Sequence, residues 1–158
     1  MKRILLLVLI GAAIISCGPS KTVIESKKVI KGYWTLSSIT YDTPGTFKVS
    51  LFNDASTECF EGSTWRFIPN NNTGRYNIEG MDCTSGERNF IFTIQEIDKE
   101  TGLYNFLLKP TNVKGKSETN TGFRLRLAQL SDYSMQWEQT VSVDGKPFTI
   151  IMNFDKNE

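Results

Sequence analysis

Three cysteines and a complete lack of histidine limit the chemistry that this 158-residue chain can perform. Histidine is the commonest general base and metal ligand, so its absence excludes a Ser-His-Asp or Cys-His catalytic centre. Carboxylate-pair chemistry is left open by composition, because four acidic residues that could converge flank two of the cysteines: Glu58, Glu61, Asp82 and Glu87. A charged rim around a loop is the alternative, and we favour it. We therefore expect no catalytic residues and no enzyme.

The first residues have the pattern of an export signal. Two basic residues precede an apolar run from Ile4 to Ile15, which is shorter than the roughly 20 residues that a spanning helix needs. We assign residues 1–16 to a signal peptide. Removing these 16 residues from the 158 leaves 142, with 16 of the 18 basic residues against 17 acidic ones. That is enough chain for one domain with a sizeable core. The nearly equal numbers of basic and acidic residues give no positive electrostatic field that would attract nucleic acid.

The end of this segment reads Ile14-Ile15-Ser16-Cys17. A branched apolar residue, a small residue and then cysteine resemble the lipobox of bacterial lipoproteins. The resemblance implies cleavage just before Cys17 and lipid attachment to its thiol; an ordinary signal peptide with an incidental cysteine is the alternative. Gly18 stands where an aspartate would favour inner-membrane retention, and no acidic cluster follows. We expect an outer-membrane lipid anchor, on the periplasmic face rather than the cell surface.

The stretch after the anchor, residues 17–28, is small, polar and charged and predicts a flexible tether, although it could instead extend the first strand. Residues 29–158 then form the folded domain. Cys59 and Cys83 remain for pairing, and an even number in an exported chain predicts a disulfide. Free buried thiols and a metal pair are the alternatives. Two thiolates without histidine make a poor zinc site, so we expect neither metal nor cofactor.

The domain sequence consists of short alternating runs between Gly, Asn, Asp and Pro clusters, as in an all-β meander. The first run covers Val29 to Tyr41. A hairpin about residues 70–73 is predicted to pair Trp65 with Ile78 and Phe67 with Tyr76. About eight strands in sequence suit a sandwich or an antiparallel up-and-down barrel. We favour the barrel, because closure removes exposed edges.

Three stretches carry a family resemblance: Gly32-Tyr33-Trp34-x-Leu36, residues 59–67 and residues 71–76. Together with the lipobox they resemble the lipocalin-like domain of Bacteroidota-type outer-membrane lipoproteins, from about residue 31 to residue 154. The resemblance implies an eight-stranded lipocalin-like barrel whose one end is closed by Gly32 and Trp34. It also implies an arginine over the Trp ring from a late strand, either Arg124 or Arg126, in a cation–π contact.

Three functional hypotheses remain. The leading one is a membrane-anchored binding module that carries a small hydrophobic molecule; the second is an interaction or structural subunit of an outer-membrane protein assembly; the third, which we discount, is an enzyme. The predicted lining residues could equally fill the barrel as core. They are Trp65, Phe67, Tyr76, Phe92, Tyr104, Phe106, Phe123, Leu125, Trp137, Phe148 and Ile150.

Overall fold

Eight strands close an antiparallel barrel in the structure, a computed structural model that describes residues 21–98 and 100–157. The barrel strands follow one another in the chain, and β1 pairs with both β4 and β10 to close the ring. The predicted up-and-down barrel is confirmed. In chain order the strands are β1 Gly32–Tyr41, β2 Ser50–Leu51, β3 Ala55–Ser56, β4 Thr64–Ile68, β5 Thr73–Ile78, β6 Gly86–Ile97, β7 Tyr104–Thr111, β8 Phe123–Leu130, β9 Ser134–Val143 and β10 Lys146–Lys156.

Alternation of side chains explains why these segments form a barrel. In β10, Phe148, Ile150, Met152 and Phe154 are buried, whereas the residues between them are only partly buried. Successive side chains of a strand point to opposite faces, so one face of each strand enters the core and the other meets water. A two-residue turn, Asp144-Gly145, joins β9 directly to β10, and both residues have positive φ, 51° and 76°.

The register of the β4–β5 hairpin differs from the prediction by two residues. Trp65 lies opposite Tyr76, and Phe67 lies opposite Gly74. A shift of two residues preserves the faces, so the predicted apolar side of the hairpin is correct although its pairing was wrong. The left-handed conformation in the turn belongs to Asn72, with φ 54°, while Gly74 is an ordinary strand residue. A side chain at Gly74 would clash with the ring of Phe90.

A helix covers one end of the barrel, where a flexible tether was predicted. α1 spans Lys21–Ile30, and β1 begins at Gly32 rather than at Val29. Ser26 and Ile30 are buried, and Lys27 Nζ donates to Asn72 Oδ1 at 2.9 Å. We call this the helix end; it also carries the turns at 69–72, 98–103 and 131–133. The signal segment, Cys17 and the rest of the predicted tether before residue 21 lie outside the described residues. In the described part of the chain, no helix is both long and apolar enough to cross a bilayer.

Residues 42–63 cover the opposite end, which we call the cap end. Here β2 pairs with β3, and the one-turn helix α2, Thr57–Phe60, follows. Between residues 46 and 56 the strands are therefore limited to two residues each, and the helical turn begins at Thr57. Leu51, Phe52 and Phe60 are buried in the cap. Phe52 has φ 54°, which is uncommon for a bulky residue, and its ring is held by Phe60 at 5.6 Å and Phe123 at 5.3 Å.

Candidate functional site

The barrel interior is the first candidate site, because all eleven predicted lining residues point into it. Ten of them are buried, and Phe123, near the cap, is partly buried against the same core. At the centre, the Trp65 ring lies 4.5 Å from that of Tyr76, 5.5 Å from Trp137 and 5.6 Å from Phe154, measured between centroids. These are distances between rings in direct contact. The predicted lining residues therefore fill the barrel as a packed core.

Both barrel ends are covered by apolar side chains. At the cap end, the ring of Phe60 lies 5.2 Å from that of Tyr76. At the helix end, Ile30 and Trp34 are buried, and Trp34 Nε1 donates to Ile30 O at 2.9 Å. A small molecule would thus have to displace the cap or α1 to reach the interior.

Two polar atoms within this core have no hydrogen-bond partner in the described structure: Tyr104 Oη and Trp137 Nε1. They belong to β7 and β9, on either side of β8. Burial raises the pKa of Tyr104 above its usual range, so this hydroxyl remains a neutral donor. Buried polar groups are normally satisfied by protein or by an ordered water. A polar group that reached either atom would gain a hydrogen bond there.

Lysine, not arginine, closes the barrel over Trp34. Lys156 Nζ lies 5.1 Å from the centroid of the Trp34 ring and donates to Val29 O at 2.7 Å. The predicted partners point away: Arg124 donates to Gln95, and Arg126 pairs with a glutamate of β9. The arginine prediction was wrong because both side chains alternate outward along β8, whereas the end of β10 lies directly beside Trp34. Nothing in the sequence near residue 156 indicates this contact.

At the helix end, Gly32 precedes Trp34 with φ 118°, a conformation that favours glycine. This agrees with its predicted place at the start of the closing strand.

The predicted disulfide between Cys59 and Cys83 is present, with Cα atoms 5.8 Å apart. It joins α2 of the cap to the loop between β5 and β6. Asp54 adds a second connection that sequence analysis missed, since Asp54 Oδ2 lies 3.0 Å from Arg88 Nε and accepts from Tyr76 Oη at 2.8 Å. Burial, together with this hydrogen bond, raises the pKa of Tyr76. Cap and barrel are thus joined covalently and by a partly buried ion pair.

The four carboxylates near the disulfide do not share a partner. Glu61 Oε1 accepts a backbone N–H of β1 at 2.7 Å, and Glu87 Oε2 lies 3.0 Å from an arginine of β5. Hydrogen bonding to its own backbone N–H lowers the pKa of Glu58, and Asp82 is exposed. Among the described residues, no group of three or more acidic or cysteine side chains could hold a metal ion. These contacts agree with the interpretation that the four carboxylates form a charged rim around a loop.

Clefts occur on the outside of the barrel. A cleft of about 410 Å³ lies beside the turn at 98–103 and is lined in part by Leu103 and Arg126. Another, of about 330 Å³, contains Tyr33, Arg66 and Arg75. Arg66 pairs directly across the sheet with Arg75, and its guanidinium lies 5.3 Å from the ring centroid of Tyr33. The outer wall therefore offers polar and aromatic groups to a partner without any displacement of the cap or α1.

A scan against protein-family models found no match, and a search of curated proteins found none either. Among solved structures, the chain is similar to a lipocalin-like protein from Bacteroides uniformis. The two share 11% sequence identity over 82% of this chain and 99% of that chain, with a TM-score of 0.49.

Proposed function

We propose that this protein is a non-enzymatic lipoprotein of the bacterial outer membrane that acts as an interaction module through the outside of its barrel. The observation that supports this most directly is the filled interior, in which the Trp65 ring contacts the rings of both Tyr76 and Trp137. A barrel filled by its own side chains offers a partner only its outer wall and its two ends.

Lipid attachment at Cys17 would hold the barrel close to other proteins of the same membrane. The support is the sequence pattern of a charged start, a short apolar run and a small residue before the cysteine. Tethering raises the effective concentration of a neighbour by restricting the search to the membrane surface. A modest contact area on the barrel would then suffice for specific association.

The cap end supplies the candidate contact surface. Met81, in the loop that carries Cys83, is fully exposed, and Val113, in the loop between β7 and β8, is 88% exposed. Apolar side chains held in water on loops stabilise nothing within the monomer, and apolar residues at the centre of an interface contribute to binding. We therefore place the partner contact at this end.

Native mass spectrometry of the protein extracted from its own membrane in mild detergent tests the proposal. We expect a complex of fixed stoichiometry with another envelope protein, and at least a tenfold loss of that complex in a Met81→Ser, Val113→Ser variant. An Arg124→Ser variant, altered at an exposed position on the outer wall of β8, serves as the control and should retain the complex. A monomer under all extraction conditions would contradict the proposal.

Carriage of a small hydrophobic molecule is the second candidate, and the two unpartnered polar atoms favour it. A guest with an acceptor group could receive hydrogen bonds from Tyr104 Oη and Trp137 Nε1. The same mass spectra test this candidate, since a bound guest would appear as a fixed mass increment. Tyr104→Phe should lower the occupancy of that increment and leave any protein complex intact.

A further inference from the structure

The helix end of the barrel exposes aromatic and apolar side chains that the core does not use. Tyr133, in the turn between β8 and β9, is 81% exposed, Tyr33 is 50% exposed, and Ile24 of α1 is 43% exposed. Tyrosine is enriched where proteins meet the interface of a membrane, because its ring is apolar and its hydroxyl is wet.

Hydrogen bonds place the two tyrosines on either side of the end of β10. Asn157 N donates to Tyr33 O at 2.9 Å, and Lys156 N donates to Tyr133 O at 2.8 Å. Lys156 also binds Val29 O of α1 through its side chain, at 2.7 Å. The exposed tyrosines and α1 therefore belong to one end of a rigid barrel.

The exposed part of α1 and the residue after it are mainly basic. Ser26 and Ile30 face the barrel, while Glu25, Lys28 and Lys31 are exposed. Lys28 Nζ lies 2.9 Å from Glu25 Oε1, so one of the lysine charges is offset locally. Exposed Asp98, Glu100 and Asp132 lie in the turns of the same end, so this face carries charges of both signs. Exposed tyrosine rings beside charged side chains fit the headgroup layer of a phospholipid bilayer.

The length of chain before α1 limits how far this end can lie from a lipid anchor. Lys21 follows Cys17 by four residues, which span at most about 14 Å when fully extended. The barrel end that carries α1 must then stay near the bilayer surface, whereas the cap end lies across the barrel from α1.

We propose that the helix end is a membrane-contacting face, which docks on the phospholipid surface beside the lipid anchor through Tyr33, Tyr133 and the exposed side of α1. This inference rests on the lipid anchoring put forward as part of the proposed function. Docking fixes the orientation of the barrel, so that the cap end with Met81 and Val113 points away from the membrane and stays accessible to a partner.

Two labelled variants of the full mature chain test this orientation. Tyr133→Cys and Val113→Cys place a thiol at opposite ends, at positions that are 81% and 88% exposed. Since Cys59 and Cys83 are paired and acylation would occupy the thiol of Cys17, a thiol-reactive environment-sensitive fluorophore labels the new cysteine selectively. If the mass of the protein shows no acyl chains, both variants also carry Cys17→Ser. Each labelled protein is reconstituted into phosphatidylcholine vesicles that contain brominated lipid.

We expect quenching by brominated lipid to be at least about twofold stronger at residue 133 than at residue 113, because an interfacial group lies within the headgroup layer. Equal quenching at both positions, or stronger quenching at residue 113, would overturn the proposed orientation.

The intact mass of the same mature protein separates this inference from the anchoring on which it rests. If the protein is acylated but quenching is equal at the two positions, the anchoring is supported and the proposed orientation is wrong. If the mass shows no acyl chains, the proposed anchoring is wrong. Vesicle binding with selective quenching at residue 133 would then still support the membrane-contacting face, and a lack of such binding would overturn that face as well.

Discussion

Removal of the disulfide tests how the cap is held on the barrel. The change is a double variant, Cys59→Ala with Cys83→Ala. The two cysteines are 24 residues apart in sequence, and the chain-entropy relation for a loop of this size gives about 3.5 kcal/mol of stabilisation. Domains of this size are stable by about 5–15 kcal/mol, so the loss is a large fraction of the total and is readily measured.

The native fold should survive this change, because other contacts hold the cap. Asp54 remains paired with Arg88 at 3.0 Å and bonded to Tyr76 at 2.8 Å. Phe60 stays buried against the same ring of Tyr76. We therefore expect the double variant to keep the near-ultraviolet circular dichroism of its packed aromatic residues while it unfolds at lower denaturant concentration.

Urea unfolding followed by tryptophan fluorescence measures the effect, with and without a thiol reductant. The reductant should lower the stability of the natural protein by about the same 3.5 kcal/mol and leave the double variant unchanged. Met81→Ala, at a fully exposed position two residues before Cys83, is the matched control and should change stability by less than about 0.5 kcal/mol. A loss below about 1 kcal/mol in the double variant, or a further loss on adding reductant to it, would refute the reasoning.

Other substitutions test single contacts, each by the same urea titration. Gly74→Ala should cost about 2 kcal/mol, because its Cβ would clash with the ring of Phe90 and lie 2.8 Å from a backbone oxygen; a neutral result would mean that the hairpin can shift. Lys156→Met should cost about 1 kcal/mol through the lost cation–π contact and hydrogen bond, against less than about 0.5 kcal/mol for Arg124→Met; equal costs would contradict the assignment. Tyr104→Phe should change stability by no more than about 1 kcal/mol, since its hydroxyl has no partner, and a larger loss would reveal a bound water or guest. Burial raises the pKa of Tyr104 in the folded protein, so its contribution to the free energy of unfolding is fully present below the unfolded-state pKa of about 10. Above that pH the stability should fall by up to about 1.4 kcal/mol per pH unit. Tyr104→Phe should make this decline smaller.

The faces of the strands were predictable from sequence, whereas their register was not. Alternation of period two placed Trp65, Phe67, Tyr76 and Ile78 on one side of a hairpin, and all four are buried. The same alternation is unchanged by a shift of two residues, so it cannot distinguish the predicted pairing from the observed one. The turn decides between them, and there the positive φ belongs to Asn72.

The helix α1 could not be predicted for a related reason. Ten residues are too few to form a stable helix in isolation, so α1 depends on tertiary contacts such as the burial of Ser26 and Ile30. Its charged composition matches that of a linker equally well. The contact between Lys156 and Trp34 was missed because it joins residues 122 positions apart. In each case the missing information is long-range packing, whereas the chemistry that depends on composition, such as the cysteine pairing, was predicted correctly.

The packing of the core argues that specificity lies on the surface of this barrel. To admit a small hydrophobic guest, at least two of the central rings, for example Trp65 and Trp137, would have to give up their contacts with each other and with Phe154. Removing one large aromatic side chain from a core costs about 3–5 kcal/mol, so displacing two costs about as much as the 8 kcal/mol gained on binding at micromolar affinity. An interior guest would therefore have to replace the lost contacts almost completely, and few shapes can do so. A partner that meets Met81 and Val113 at the cap end needs no such rearrangement, because these side chains are already exposed. Binding at the cap end thus requires only a complementary surface held nearby, which an anchor in the same membrane would supply.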